Sequence, residues 1–332
     1  ETEVIIPNTE TEVIIPNTVT TIGVKAFYEC GELTEIKIPA SVTTIRENAF
    51  GDCEALTTVE FEEEGSQLTT IGEGAFKECI ALTEIKIPAS VTTIGKVAFQ
   101  FCKALTKITI PASVTEIGDY AFNSCEALTK ITIPASVTTI GEGAFKECIA
   151  LTEIKIPASV TTIGKVAFQF CKALTKITIP ASVTEIGDYA FNSCEALTKI
   201  TIPASVTTIG KNAFNSCEAL TEIKIPASVT TICQGAFQFC KALTKVEFEE
   251  VSQLTTIGMF AFKECIALTE INIPASVTKI DNWAFQICKA LTTVIFEKES
   301  QLKTIGENAF KGCIALKRII APSDKHKLLE TH

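Results

Sequence analysis

Fourteen cysteines and two histidines are the side chains of this sequence best suited to nucleophilic or metal chemistry. Thirteen of the cysteines follow the dipeptide Ala-Phe at one fixed distance, from Ala26-Phe27-x-x-Cys30 to Ala309-Phe310-x-x-Cys313, and Cys233 is the exception. A thiol or hydroxyl becomes a catalytic nucleophile when a neighbouring base takes its proton. Both histidines, His326 and His332, lie in the polar tail SDKHKLLETH, so the body of the sequence offers no Cys–His pair. Mixed Cys and His zinc sites fail for the same reason, and no C-x-x-C occurs. A G-x-x-x-x-G-K-[ST] phosphate loop is also missing. Carboxylates are abundant but recur periodically, as a solvated face would. The sequence therefore predicts no enzyme, no bound metal and no cofactor.

The elements that would position any site come from the spacing of the Ala-Phe pairs. Nine of the twelve intervals between them are 23 residues, and the other three are 25 or 26. A fixed period in this range marks a solenoid, which grows by stacking coils. In residues 82–104, LTEIKIPASVTTIGKVAFQFCKA, Ile85 and Ile87 alternate with Glu84 and Lys86, the period of a half-buried strand. Pro88 ends that strand because it has no N–H for the ladder. Val91 and Ile94 form a second short apolar stretch, and Gly95 permits a change of direction. Ala98, Phe99 and Cys102 have the spacing of one inward-facing helical turn. Equivalent cysteines on neighbouring coils would lie about 5 Å apart, which permits disulfides such as Cys102–Cys125. Free Cys is among the most buried residue types, and reduced core thiols are the simpler expectation.

Three coils lose the Pro and gain residues: Phe61–Gln67, Phe248–Gln253 and Phe296–Gln301. The strand is expected to run on there and to be followed by an acidic bulge. That bulge is either a solvated loop or part of a binding face, and a cation site at Glu62, Glu63 and Glu64 lacks the six to eight converging oxygens that calcium takes. Arg46, Cys233 and Asp281 replace the Gly of the Ile-Gly step, which makes Cys233 the thiol expected to be exposed. Residues 69–141 recur letter for letter as 138–210, and residues 1–9, ETEVIIPNT, recur at once as 10–18. Residues 1–9 then read as an extra edge strand carrying Val4, Ile5 and Ile6, 10–322 as a solenoid of about 13 repeats, and 323–332 as a polar tail. An edge strand of this kind is a template for pairing with another molecule.

The outward strand positions form the candidate binding ladder: Glu84, Lys86, Lys107, Thr109, Lys130, Thr132, Glu153, Lys155, Lys176, Thr178, Lys199, Thr201, Glu222 and Lys224. Solenoids bind through such extended faces, and the same residues would equally keep the sheet soluble and pair charges across strands. Phe101, Tyr120, Phe170, Tyr189, Phe239, Phe260 and Trp283 flank Ala-Phe and are expected on the other side, packed between coils. A net charge of −10 carries no basic footprint for nucleic acid or anionic lipid. No run of 18 apolar residues is long enough to span a membrane. The N-terminus reads as no secretory leader and begins at Glu1, so it does not reveal the compartment.

The motif I-P-x-S-V-T-x-I-G-x-x-A-F-x-x-C resembles the BspA-like leucine-rich repeats over roughly residues 10–322. The resemblance implies an α/β solenoid that is mostly β: a curved, right-handed superhelix with a parallel concave sheet and short convex strands or helical turns. Ser90 stands where the general leucine-rich pattern places Asn or Cys, so the usual Asn ladder is missing. The resemblance further implies a non-enzymatic protein-binding or adhesion role at a cell surface or outside the cell, with host or matrix proteins as partners. Self-assembly into a homo-oligomer through terminal strands, and an engineered repeat scaffold suggested by the duplications, stay open beside it.

Overall fold

The computed structural model describes residues 12–325, which fall in two compact units, Glu1–Val160 and Thr161–His332. The expected edge strand with Val4, Ile5 and Ile6, and both histidines, lie outside the described residues. Each coil supplies one long and one short strand, and each set pairs in parallel. In the first unit the long strands run from Glu12–Ile14 to Glu153–Lys155, and the short ones from Thr21–Ile22 to Thr139–Ile140. In the second unit Lys176–Thr178 pairs with Lys199–Thr201, Glu222–Ile225 with Lys245–Phe248, and Glu270–Ile273, Thr293–Phe296 and Arg318–Ile320 form a three-stranded sheet. Its short strands run from Thr162–Ile163 to Thr304–Ile305. Register always joins equivalent repeat positions, as in Glu84↔Lys107 and Ile85↔Ile108. The chain is a parallel-sheet β-solenoid, with a single 3₁₀ turn at Ser323–Lys325 as the helix among the described residues.

Period-two alternation explains the sheets. Ile85 and Ile108 are buried while Glu84, Lys86, Lys107 and Thr109 face solvent. Where Pro is absent the strand lengthens as expected, and so does its predecessor: Ile38 pairs with Phe61, Ile225 with Phe248, and Ile273 with Phe296.

The Ala-Phe-x-x-Cys segment is not the helical turn its spacing suggested. Each arc has a left-handed residue before Ala and another before Cys, such as Val97 at φ 48° and Phe101 at φ 61°. Left-handed backbone costs an L-residue roughly 1–2 kcal/mol, yet it recurs in every arc. The cause is a hydrogen-bond requirement between coils. With this backbone the N–H groups of Val97, Phe99 and Phe101 point forward and donate to the carbonyls of Asp119, Ala121 and Asn123, at 2.8 Å each. A helical turn would spend its bonds inside the coil and leave the neighbour's buried carbonyls unmet.

The core follows from that stacking. The Phe rings form near-parallel columns, with centroids 4.9 Å apart for Phe27–Phe50 and 5.5 Å for Phe99–Phe122 in the first unit. In the second unit the spacing is 5.4 Å for Phe168–Phe191 and 5.3 Å for Phe285–Phe310. Offset stacking at such distances is favourable beyond the area it buries. Close approach also explains one recurring Gly: a Cβ on Gly95 would lie 2.7 Å from the Gly72 carbonyl carbon in the coil before it.

Phe99 is fully buried with a ring on either side. Phe99→Ala should lower unfolding stability by about 3–5 kcal/mol, read as a fall in the urea midpoint.

Candidate functional site

All fourteen ladder positions are exposed on the long-strand faces. The first unit brings together Glu84, Lys86, Lys107, Thr109, Lys130, Thr132, Glu153 and Lys155, and the second Lys176, Thr178, Lys199, Thr201, Glu222 and Lys224. Part of this charge is neutralised across strands. Lys107 pairs with Glu84 at 3.1 Å, Lys199 with Glu222 at 3.2 Å, and Lys224 with Glu249 at 2.9 Å, while Lys86 pairs with Glu63. Lys130, Lys155 and Lys176 form no ion pair among the described residues. In the first unit Lys130 lies in register with Glu153, and Thr132 with Lys155. The face thus carries free ammonium groups beside hydroxyls.

The acidic insertions are not loose loops. Glu62 accepts the Ala40 N–H at 3.1 Å, Glu249 that of Ala227 at 3.1 Å, and Glu297 that of Ala275 at 2.9 Å. The same segment returns a second bond: Gln67, Gln253 and Gln301 donate their N–H to the carbonyls of Ala40, Ala227 and Ala275. Each insertion therefore clasps the Pro-Ala turn of the preceding coil. Lys37 adds an ion pair to Glu62 at 3.1 Å. The N–H of Ala40 first, then Lys37, holds the Glu62 carboxyl below its ordinary value. Lys224 and then the Ala227 N–H do the same for Glu249. Glu62 and Glu63 thus already have cationic or N–H partners, which argues against the cation site considered at Glu62–Glu64. Among the described residues no group of His, Cys, Asp and Glu could hold a metal ion.

The thiols serve the core. All fourteen cysteines are free, and the thirteen in the repeat position are buried. Cys102 donates its S–H to the Phe76 carbonyl at 3.1 Å, and Cys125 to that of Phe99 at 3.3 Å. Burial pushes Cys53, Cys148 and Cys217 up to about 12 and Cys102 higher still. Such groups are protonated at neutral pH and are poor nucleophiles. Cys233 is the one of intermediate exposure, and burial raises it as well.

Side-chain pairings between coils also went unread in the sequence. An amide ladder runs along the position after Ala-Phe: Gln169 donates to Asn192 at 2.9 Å, Asn192 to Asn215 at 3.1 Å, and Asn215 to Gln238 at 3.3 Å. An amide ladder therefore exists, away from the strand-end position where the general pattern puts it. The flanking aromatics are half-buried, apart from Tyr189, which is exposed. Phe260 and Trp283 stack between coils at 5.2 Å, as expected. Tyr120 donates to Glu142 at 2.6 Å, and that bond leads in pushing its hydroxyl up to about 12.

A parallel solenoid whose coils turn on Ala-Phe-x-x-Cys, with a charged long-strand face, defines a leucine-rich-repeat protein. The family model for the BspA type leucine rich repeat region matches residues 8–129, 115–244 and 207–331, and the chain belongs to that family. It is similar to a leucine-rich repeat protein from Bacteroides ovatus, at 32% identity over 91% of this chain and 82% of that one, with a TM-score of 0.77. It is also similar to a leucine rich cell surface protein from Faecalibacterium prausnitzii, at 33% identity over 98% and 91% of the two chains, with a TM-score of 0.62. A leucine-rich repeat protein from Eubacterium ventriosum shares 27% identity over 94% and 84%, with a TM-score of 0.60. No curated protein sequence matches the chain. Among the described residues no helix is long and apolar enough to cross a membrane.

Native protein treated with a thiol reagent at neutral pH should release colour for one equivalent ahead of the rest, slowly because burial raises that thiol, and lost in Cys233→Ser, with the remainder reacting only after unfolding. A carboxyl lowered by folding stabilises above its unfolded value, and the gain is lost as pH falls through the folded one. Glu249→Gln should therefore be less stable than the parent at pH 7, and urea midpoints of the two should converge as pH drops below the ordinary carboxylate range, near 4.

Proposed function

We propose that this chain is a non-enzymatic binding protein of a bacterial cell surface, which captures a protein partner through the long-strand face of either unit. The observation that carries this reading is the exposed, unpaired lysines on those faces: Lys130 and Lys155 in the first unit, and, separately, Lys176 in the second. An ammonium group already held by a carboxylate gives a partner little, because its Coulomb energy is spent. Free ones beside exposed Thr132 and Thr178 offer charge and hydroxyl donors to an acidic protein surface. The net charge of −10 sharpens this, since the rest of the molecule repels acidic partners and directs them to the cationic spots. Support for the surface location comes from the family and from the cell surface protein of Faecalibacterium prausnitzii, its relative at 33% identity. The burial of the repeat cysteines supports the non-enzymatic reading, with S–H groups such as those of Cys102 and Cys125 committed to Phe carbonyls.

The test is surface plasmon resonance against a panel of immobilised acidic host and matrix proteins. The triple variant Lys130→Glu, Lys155→Glu, Lys176→Glu should slow association about tenfold or more, and the parent's association should weaken with salt. Lys96→Glu, which disrupts a pair with Asp119 elsewhere, should leave binding unchanged. Equal binding by the triple variant would remove the long-strand face from the reading.

A further inference from the structure

We infer that the outer edge of strand Arg318–Ile320 accepts residues 3–6 of a second copy of this chain as an added parallel strand, with Glu3 set opposite Arg318. The receiving edge is plain in the fold. Arg318–Ile320 pairs on one side with Thr293–Phe296 and ends its three-stranded sheet. Ile319 occupies the inward position that Ile271 and Val294 hold in the two preceding strands, where they are 1% and 0% exposed. Ile319 is 41% exposed, Ile320 is 42% exposed, and Ile314 just before the strand is 83% exposed. What covers the interior residues is the next coil, and none of the described residues does this for Ile319. An open edge with bare apolar groups is where strand addition occurs.

The occupant is identified by duplication and by charge. Residues 1–9 copy residues 10–18 letter for letter. In the second copy, Glu12–Ile14 pairs in parallel with Glu35–Ile38, in the register Glu12↔Glu35, Val13↔Ile36 and Ile14↔Lys37. The nine-residue sequence is therefore one that this fold takes as a strand, and the chain carries it twice. Every observed pairing joins equivalent repeat positions, so the same rule applies to an added strand. Aligning Pro7 with Pro322 then places Glu3 opposite Arg318, Val4 opposite Ile319 and Ile5 opposite Ile320. Val4 would lie on the inward side and cover Ile319, and Glu3 would give the exposed Arg318 a cross-strand counter-charge. This is assembly between copies, independent of capture of a partner on the sheet face.

Light scattering after size exclusion tests it, on the full chain across a wide concentration range. The mass should exceed that of one chain and rise with concentration. Removing residues 1–9 should return it to a single chain. Arg318→Glu should do the same, and adding Glu3→Arg to Arg318→Glu should restore assembly, a rescue that a folding defect would not give. A labelled peptide ETEVIIPNT should bind the chain lacking residues 1–9 and lose about tenfold or more in affinity on Arg318→Glu. An unchanged mass on removal of residues 1–9, or peptide binding indifferent to Arg318→Glu, would overturn the inference.

Discussion

The fold depends on how one residue per coil, the Phe of Ala-Phe-x-x-Cys, disposes of its two backbone polar groups. The N–H of Phe99 donates to Ala121 in the next coil. Its carbonyl accepts the Cys102 N–H from its own turn at 3.2 Å and the Cys125 S–H from the next coil at 3.3 Å. The ring meanwhile lies between Phe76 and Phe122. Both polar groups of a fully buried residue are thus met by a neighbouring coil, and no water is needed. The left-handed residues on either side are the means of aiming these groups. Their strain is repeated in every arc because an unmet buried backbone group costs a comparable or larger amount.

That constraint accounts for the cysteine. The position needs a small side chain that tolerates a dry site and supplies one weak donor to the preceding Phe carbonyl. Ala would fill the space without donating, and Ser would bring a hydroxyl more costly to desolvate. Cys meets both demands. The same burial that makes it suitable raises its ionisation well above neutral pH, so the residue type most suggestive of chemistry is the one the fold has withdrawn from it. What remains free to interact is on the strand faces and at the sheet edges.

Much of this was legible in the sequence. Periodicity gave the coil and the two strands, and alternation named Ile85, Ile108 and their equivalents as inward. The left-handed arc was only half signalled: Asn48, Gly74, Gly143, Asn212, Gly235 and Asn308 hold the position before Ala in six coils, while residues such as Val97, Tyr120 and Trp283 hold it in others and carry no such signal. Their conformation is set by hydrogen bonds to another coil, about 22 residues on, and not by local propensity. The clasps were hidden for the same reason, although one signal was present: a Glu follows the Phe at all three Pro-less strands. Gln and Asn after Ala-Phe looked like ordinary surface residues, and only stacking reveals that they bond to one another.

The duplicated block shows how far a coil's sequence alone decides its surface. Tyr120 and Tyr189 sit at matching places in letter-identical stretches. Tyr120 faces Glu142 in the next coil, which accepts its hydroxyl. At the corresponding place after Tyr189 stands Lys211, which offers no acceptor, and Tyr189 is 39% exposed. Asn123 donates to the Lys146 carbonyl, whereas its copy Asn192 also reaches the side chain of Asn215 and joins a longer ladder. Identical coils acquire different surfaces because an outward side chain leans on a neighbouring coil, the one that follows for Tyr120 and the one before for Lys107. Lys86 is a further case: its ion pair runs to Glu63, which belongs to an insertion, and its copy Lys155 has no such clasp beside it and stays free. Individuality in this chain therefore lies in the junctions between coils, and an insertion or a single changed neighbour is enough to turn a repeated residue into a distinct recognition element.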